Sequence, residues 1–122
     1  MIELTVEDVR QQTEQWILEN WHPEMPVRDW WGSLAAAGFS SPTLPVEAGG
    51  LGWPRDLASA LMACLAREQI MGPPGGLGLL LAAPTIAAFG TPEQVARYVP
   101  RILDGSEGWC QLFSEPQPPA TG

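Results

Sequence analysis

Lysine does not occur in this chain, histidine and tyrosine occur once each, and cysteine twice. Without lysine, six arginines are the whole basic complement against 14 Asp and Glu, and the formal net charge is -8. Such a surface repels nucleic acid and anionic membranes, so both are excluded as expected partners. The single histidine, His22, stands before Pro23 with no second ligand at metal spacing, which sets a metal site aside. Cys64 and Cys110 lie far apart, and the N-terminus carries Glu3, Glu7 and Asp8 where a secretory signal needs a basic patch and an apolar run. The expectation is a cytoplasmic protein with reduced thiols, Cys64 serving as a core residue. A long apolar run is also missing: residues 77–89 form the most apolar stretch and fall short of the roughly 20 residues that cross a bilayer.

What is present is 45% hydrophobic, with 6 Trp, 13 Gly and 13 Pro in 122 residues. That is one domain's length, enough to bury roughly two-thirds of the unfolded surface. The apolar content argues for globular order. The glycine and proline argue for short helices separated by punctuated loops.

The pattern along the chain predicts an all-α fold, an up-and-down bundle of about five to six helices with a short extended segment at the C-terminus. Thr5 caps a first helix that runs to about Asn20, with Glu7 and Asp8 at the positive end of its dipole and Val6, Val9, Thr13, Trp16, Ile17 and Asn20 on one face. Pro26 starts a second helix through Trp30, Trp31 and Leu34 that Gly38 closes, with Gly32 weakening its middle by about 1 kcal/mol against alanine. Residues 39–55 are too rich in proline and glycine for a continuous helix. Their interleaved Phe39, Leu44, Val46, Leu51 and Trp53 predict an ordered loop and not a linker. Gly49, Gly50 and Gly52 lack the Lys-Ser/Thr of a phosphate loop, so they read as turn residues. Asp56 is expected to cap a third helix, with Leu57, Leu61, Cys64, Leu65 and Glu68 on one stripe and Ala58, Met62 and Ala66 on a second that meets a neighbouring helix. After Met71-Gly-Pro-Pro-Gly-Gly76, residues 77–89 are apolar nearly all round and predict a central buried helix, kinked or restarted at Pro84.

The last third is the most legible. Gly90 ends an apolar helix, and Thr91-Pro92-Glu93-Gln94 opens another with an N-cap, a proline at the first helical position and a capping-box glutamine. Val95, Tyr98, Val99, Ile102 and Leu103 share one face, although Pro100 is expected to break or kink the helix. Asp104-Gly105 stops it, and Trp109-Cys110-Gln111-Leu112-Phe113-Ser114 is short, aromatic and bounded by glycine and proline, which predicts a strand.

The order F-G-T-P-E-Q, Y-V-P, I-L-D-G, W-C-Q-L-F-S-E-P, with L-A-A-A-G-F-S-S-P-T-L-P-V-E-A-G-G-L-G upstream, resembles the acyl-CoA dehydrogenase family where its N-terminal helical domain passes into its middle β-domain. The likeness covers roughly residues 5–116 and only the first domain of a much longer protein. It implies residues 1–106 as the helical domain and 107–122 as the start of the middle domain followed by a divergent tail. Members remove an α-proton with a glutamate base while the β-hydrogen leaves as hydride to FAD, giving an enoyl thioester. That base belongs to a later domain, and Glu115 does not match it. The match implies instead that Leu112 and Phe113 offer backbone groups, and Ser114 its hydroxyl, to the flavin. It also implies that Leu79, Leu80, Ala83, Thr85 and Ile86 border an acyl chain; plain core packing explains them equally well.

After Pro116 the family continues with a small-residue turn ending in Ser-Asp, whereas here Gln117-Pro118-Pro119-Ala120-Thr121-Gly122 follows. Two prolines remove two backbone donors, and the expectation is a frameshifted or truncated reading of a longer gene. The net charge would not attract an anionic acyl-CoA, so a site for that substrate needs local arginines or further chain. Two functions fit. One is the N-terminal part of a FAD-dependent acyl-CoA dehydrogenase, inert alone and not expected to retain FAD. The other is a non-catalytic helical module that pairs with another chain as a homo- or hetero-oligomer.

Overall fold

Thr5 accepts the Asp8 N–H at 3.1 Å while the Asp8 carboxylate accepts the Thr5 N–H at 2.9 Å, a reciprocal cap that starts helix α1, Val6–Asn20. A computed structural model describes residues 3–109 of the chain. Along α1, Val9, Thr13 and Ile17 are buried at a four-residue spacing, and Trp16 packs beside them. Val6 and Asn20, expected on the same face, are exposed instead. The Asn20 side chain turns back to donate to the Trp16 carbonyl at 2.9 Å, serving the helix end and not the core.

Helix α2 is Val27–Ala36, entered through Pro26. Its exit is a paired glycine cap: Phe39 N–H reaches the Leu34 carbonyl at 2.8 Å and Gly38 N–H the Ala35 carbonyl at 3.0 Å, with Gly38 at φ 80. The loop that follows folds on itself. Leu51 and Trp53 N–H both donate to the Pro42 carbonyl, and Gly52 N–H to that of Leu44 at 2.8 Å, around a 3₁₀ turn at Val46–Ala48. A Cβ at Gly50 would collide with the Leu44 carbonyl, so the Gly-Gly-x-Gly run is a packing device. Leu44 is buried as expected; Val46 is not, being 67% exposed.

Helix α3, Arg55–Arg67, begins two residues earlier than the expected Asp56 cap predicts. Pro54 occupies the N-cap, and Asp56 lies within the first turn without capping it. Leu57, Leu61, Cys64 and Leu65 form the buried stripe, and α1 packs along it. Glu68, expected to share that stripe, is the exposed C-cap residue. Gln69, at φ 59, then supplies the left-handed position that glycine usually takes, and Ile70 N–H closes onto the Leu65 carbonyl at 2.9 Å.

Residues 77–89 are helical but not a central buried helix. A π turn at Gly78–Ala82 leads into α4, Ala83–Phe89, and only Gly78 and Ala83 are buried. Leu80, Leu81 and Phe89 are 75%, 50% and 86% exposed. The wide turn lies just ahead of Pro84: Ala83 N–H bonds to the Gly78 carbonyl five residues back, which eases a ring that lacks a donor and crowds the preceding turn. Helix α5, Pro92–Leu103, has the predicted cap, with Thr91 and Gln94 exchanging bonds of 2.9 and 3.1 Å. Pro100 does not break it; the helix runs through to Leu103. Pro100 and Ala96 are both exposed.

The described residues are helical with no strand among them, and five α-helices surround three apolar clusters. Ile17, Trp30, Leu34, Cys64, Leu65 and Ile70 tie α1, α2 and α3 together; Val9, Leu57 and Leu61 extend that contact. Leu44, Ala48, Ala83, Val99, Ile102 and Leu103 join the loop and α4 to α5. Trp16 stacks near Trp30 at 5.1 Å and meets Phe39 edge-on at 4.9 Å, with Trp53 6.2 Å beyond Phe39. The predicted strand falls on residues 109–114, of which 110–114 lie outside the described residues; Trp109 packs edge-on against Tyr98 at 5.7 Å.

Candidate functional site

The loop after α2, the start of α3 and the π turn converge on a cavity of about 520 Å³. Ser40, Ser41, Thr43, Ser59 and Arg55 line it together with the apolar Met62, Leu79, Leu80 and Pro84. The volume lies in the range of roughly 300–1,000 Å³ usual for small-molecule sites, and the mixture of few polar groups with apolar surface is the usual one. Ser40 is 3% exposed, and its Oγ has no hydrogen-bond partner among the described residues.

The five sequence-predicted acyl-lining residues separate into two environments. Leu79 and Leu80 line this cavity. Ala83 is fully buried, and Ile86 packs in the same cluster against α5, while Thr85 is exposed on α4. Leu79 belongs to both environments, since it also packs against the cluster that holds Ala83 and Ile86. The candidate flavin contacts Leu112, Phe113 and Ser114 lie outside the described residues. Ser40 and Arg55 carried no signal in the sequence. Both line the cavity because the glycine-rich loop between them doubles back.

A second cavity, about 480 Å³, lies between α2, the 3₁₀ turn and α5. Its wall is mostly small and apolar, with Glu47 and Asp104 its only carboxylates.

Charge chemistry elsewhere is structural. Arg10 bridges Glu7 and Glu14 on α1, and Arg67 of α3 stands 3.9 Å from Glu14. The bond from Arg10 holds the Glu7 carboxyl below its usual range, and those two carboxylates raise Arg10 in turn. Burial, helped by the nearby Glu14 charge, pushes the Cys64 thiol up, so it stays neutral and unreactive as a core residue. Among the described residues no cluster of His, Cys, Asp and Glu can hold a metal, and no helix is long and apolar enough to cross a membrane.

The family described as acyl-CoA dehydrogenase, N-terminal domain, matches residues 2–106. The chain belongs to the acyl-CoA dehydrogenase family. It is 34% identical to the acyl-CoA dehydrogenase IpdE1 of Mycobacterium tuberculosis over 128 aligned residues, covering 91% of this chain and 33% of that protein. With the IpdE1 of Mycolicibacterium smegmatis the figures are 35%, 93% and 33%. The acyl-CoA dehydrogenase FadE34 of Mycobacterium tuberculosis shares 63% over 35 residues, 29% of this chain and 5% of that protein. The chain thus spans about a third of the length of the two IpdE1 dehydrogenases. No solved structure matches.

Proposed function

We propose that residues 1–106 are the N-terminal helical domain, and 107–122 the opening of the middle domain, of a cytoplasmic FAD-dependent enzyme that desaturates acyl-CoA thioesters in lipid breakdown. The observation that carries this reading is the coincidence of the family match, residues 2–106, with a helical fold whose last helix among the described residues ends at Leu103. Within it, Leu112 and Phe113 would hold FAD through backbone groups and Ser114 through its hydroxyl. FAD when bound supplies hydride acceptance, and the chain's share is to position it.

On its own the chain is inert in this reading. The glutamate base lies in the part of the dehydrogenase beyond the third that the chain spans. General acid–base catalysis typically contributes about 10²–10⁴-fold, and flavin contacts need support to within about 0.5 Å. Activity therefore requires the remaining domains or a partner chain that carries them.

FAD titrated into the purified chain, followed by flavin fluorescence, should show no stoichiometric binding, and dye-linked oxidation of acyl-CoAs should stay at the blank. Co-expression with the middle and C-terminal domains of an IpdE1-type dehydrogenase should restore both. Micromolar FAD binding or turnover by the chain alone would overturn the inert reading.

The exposed apolar residues Leu77, Leu80, Leu81 and Phe89 favour one other reading, a non-catalytic helical module that covers this face with a partner. Assembly with a companion chain that yields no flavin spectrum and no turnover would select it.

A further inference from the structure

The cavity between α2, the 3₁₀ turn and α5 continues into a smaller one of about 300 Å³, since Glu47, Ala48, Val95 and Ala96 line both. Together they form one groove that follows α5 for about 18 Å, from Pro92 at one end to Asp104 at the other. Gly32 and Ala35 of α2 form the wall at the Asp104 end, and Ala87 and Gly90 the wall at the Pro92 end. Side chains this small admit a second backbone at the separation of about 8–10 Å usual for packed helices. The polar groups of the groove are all of one kind. Its only ionisable residues are Glu47 and Asp104. Among the described residues Glu47 makes no ion pair, and Asp104 accepts only the Ser106 N–H at 2.9 Å. Pro100 lines the groove too, and its missing N–H deprives the Ala96 carbonyl of its α-helical donor. The arginines next to these two residues are engaged elsewhere: Arg97 lies over the Tyr98 ring at 5.3 Å, and Arg101 pairs with Glu107 at 3.4 Å. An apolar trough edged by carboxylates and lacking any cation is complementary to an occupant that carries positive charge. A second copy of this chain, with its formal net charge of -8, is a poor match.

We propose that this groove docks a helix of a companion polypeptide, small or apolar on the face it turns toward α2 and α5 and carrying two basic side chains about two turns apart, one for Glu47 and one for Asp104. This rests on reading the chain as a domain that works with further polypeptide, and it adds the chemistry of the segment that does so. The spacing follows from the groove itself. Glu47 lines it together with Val95 and Ala96, and Asp104 lies just over two turns further along α5, roughly 12 Å away along the axis. Basic residues at i and i+7 of a helix laid beside α5 share one face and span that distance.

The test is an amide NMR titration of the purified chain with a designed alanine- and leucine-rich peptide of about 18 residues, long enough to hold a helix in water, carrying arginine at i and i+7. The same peptide with glutamate at those two positions is titrated separately. The expected result is shifts at residues 32–36, 46–49 and 95–104, with the arginine peptide binding at least about ten-fold more tightly and losing its advantage as salt rises. Glu47→Gln should cut that preference by about three-fold, and Ala96→Leu, which fills the groove, should block both peptides. Glu47 and Ala96 are exposed, so both variants should fold. Equal affinity for the two peptides, no binding of either, shifts confined to residues 77–89, or a preference untouched by Glu47→Gln would overturn the proposal. Neither flavin nor the downstream domains enter the titration. A negative result here therefore leaves the dehydrogenase reading standing, and failed reconstitution would leave this titration unaffected.

Discussion

Trp30 donates its indole N–H to the Met71 carbonyl at 2.7 Å, across 41 residues of sequence. Trp31 makes the parallel bond to Gly72 at 3.1 Å. Adjacent indoles on α2 thus grip the loop that delivers the π turn and its Leu79 and Leu80 to the cavity. Trp30 is 2% exposed, so its donor has no water to fall back on.

Trp30→Phe keeps an aromatic ring, removes the donor, and leaves the Met71 carbonyl short of a partner. The expected loss is about 2–3 kcal/mol from the unmet carbonyl and the residual cavity, read as a lower urea midpoint with an unchanged slope. Hydrogen exchange should accelerate at residues 71–82. Unchanged exchange there would show that the loop is held by other contacts.

Gln69 adopts φ 59 to close α3, a conformation that costs a side-chain-bearing residue roughly 1–2 kcal/mol. Gln69→Gly should raise stability by about 0.5–1 kcal/mol, the gain reduced by the greater freedom of glycine in the unfolded chain. Gly105→Ala is the opposite case. Gly105 has φ 76 and a new Cβ would strike the Trp31 ring, so thermal melting should drop by several degrees.

These caps also show where sequence is informative. Thr91-Pro-Glu-Gln and Thr5 to Asp8 were legible because a capping box is decided within four residues by side chains that name themselves. Gly38 was legible because glycine past a helix has one common use. Gln69 was not, since the left-handed position is imposed by Ile70 and Leu65 closing the helix and leaves no mark on residue 69 itself. The apolar run 77–89 misled for a related reason. Composition reports that Leu80, Leu81 and Phe89 seek burial, but whether this chain or further protein covers them is a tertiary fact. The cavity was least legible of all: Leu79 and Leu80 were in view as lining candidates, but Ser40 and Arg55 belong to it only through the backbone bonds that double the loop over.

Thr13 is 1% exposed, and its Oγ1 has no partner among the described residues. It sits between Val9 and Ile17 on the face of α1 that meets α3. Thr13→Val replaces the hydroxyl by a methyl of similar size and should stabilise the chain by about 1 kcal/mol in urea titration.

The exposed leucines give the last prediction. Leu80 and Leu81 stand 75% and 50% exposed on the π turn, with Leu77 at 37% on the residue before it and Trp109 at 38% further along the chain. Transfer of apolar surface out of water is worth roughly 25 cal/mol per Å², so a face built from several large side chains holds a drive of a few kcal/mol toward anything apolar that fits it. In the isolated chain that drive should appear as concentration-dependent association and as binding of an apolar dye such as ANS. Leu81→Glu places a charge on the face, and an exposed position costs the fold no more than about 0.5 kcal/mol. The variant should sediment as a monomer at concentrations where the parent associates, keep the parent's melting temperature within a degree or two, and lose most ANS fluorescence. It should also fail to assemble with the downstream dehydrogenase domains, since the same face would then meet a buried charge. If association, dye binding and assembly all survive the substitution, the leucine face is not the surface through which this domain meets the rest of its protein.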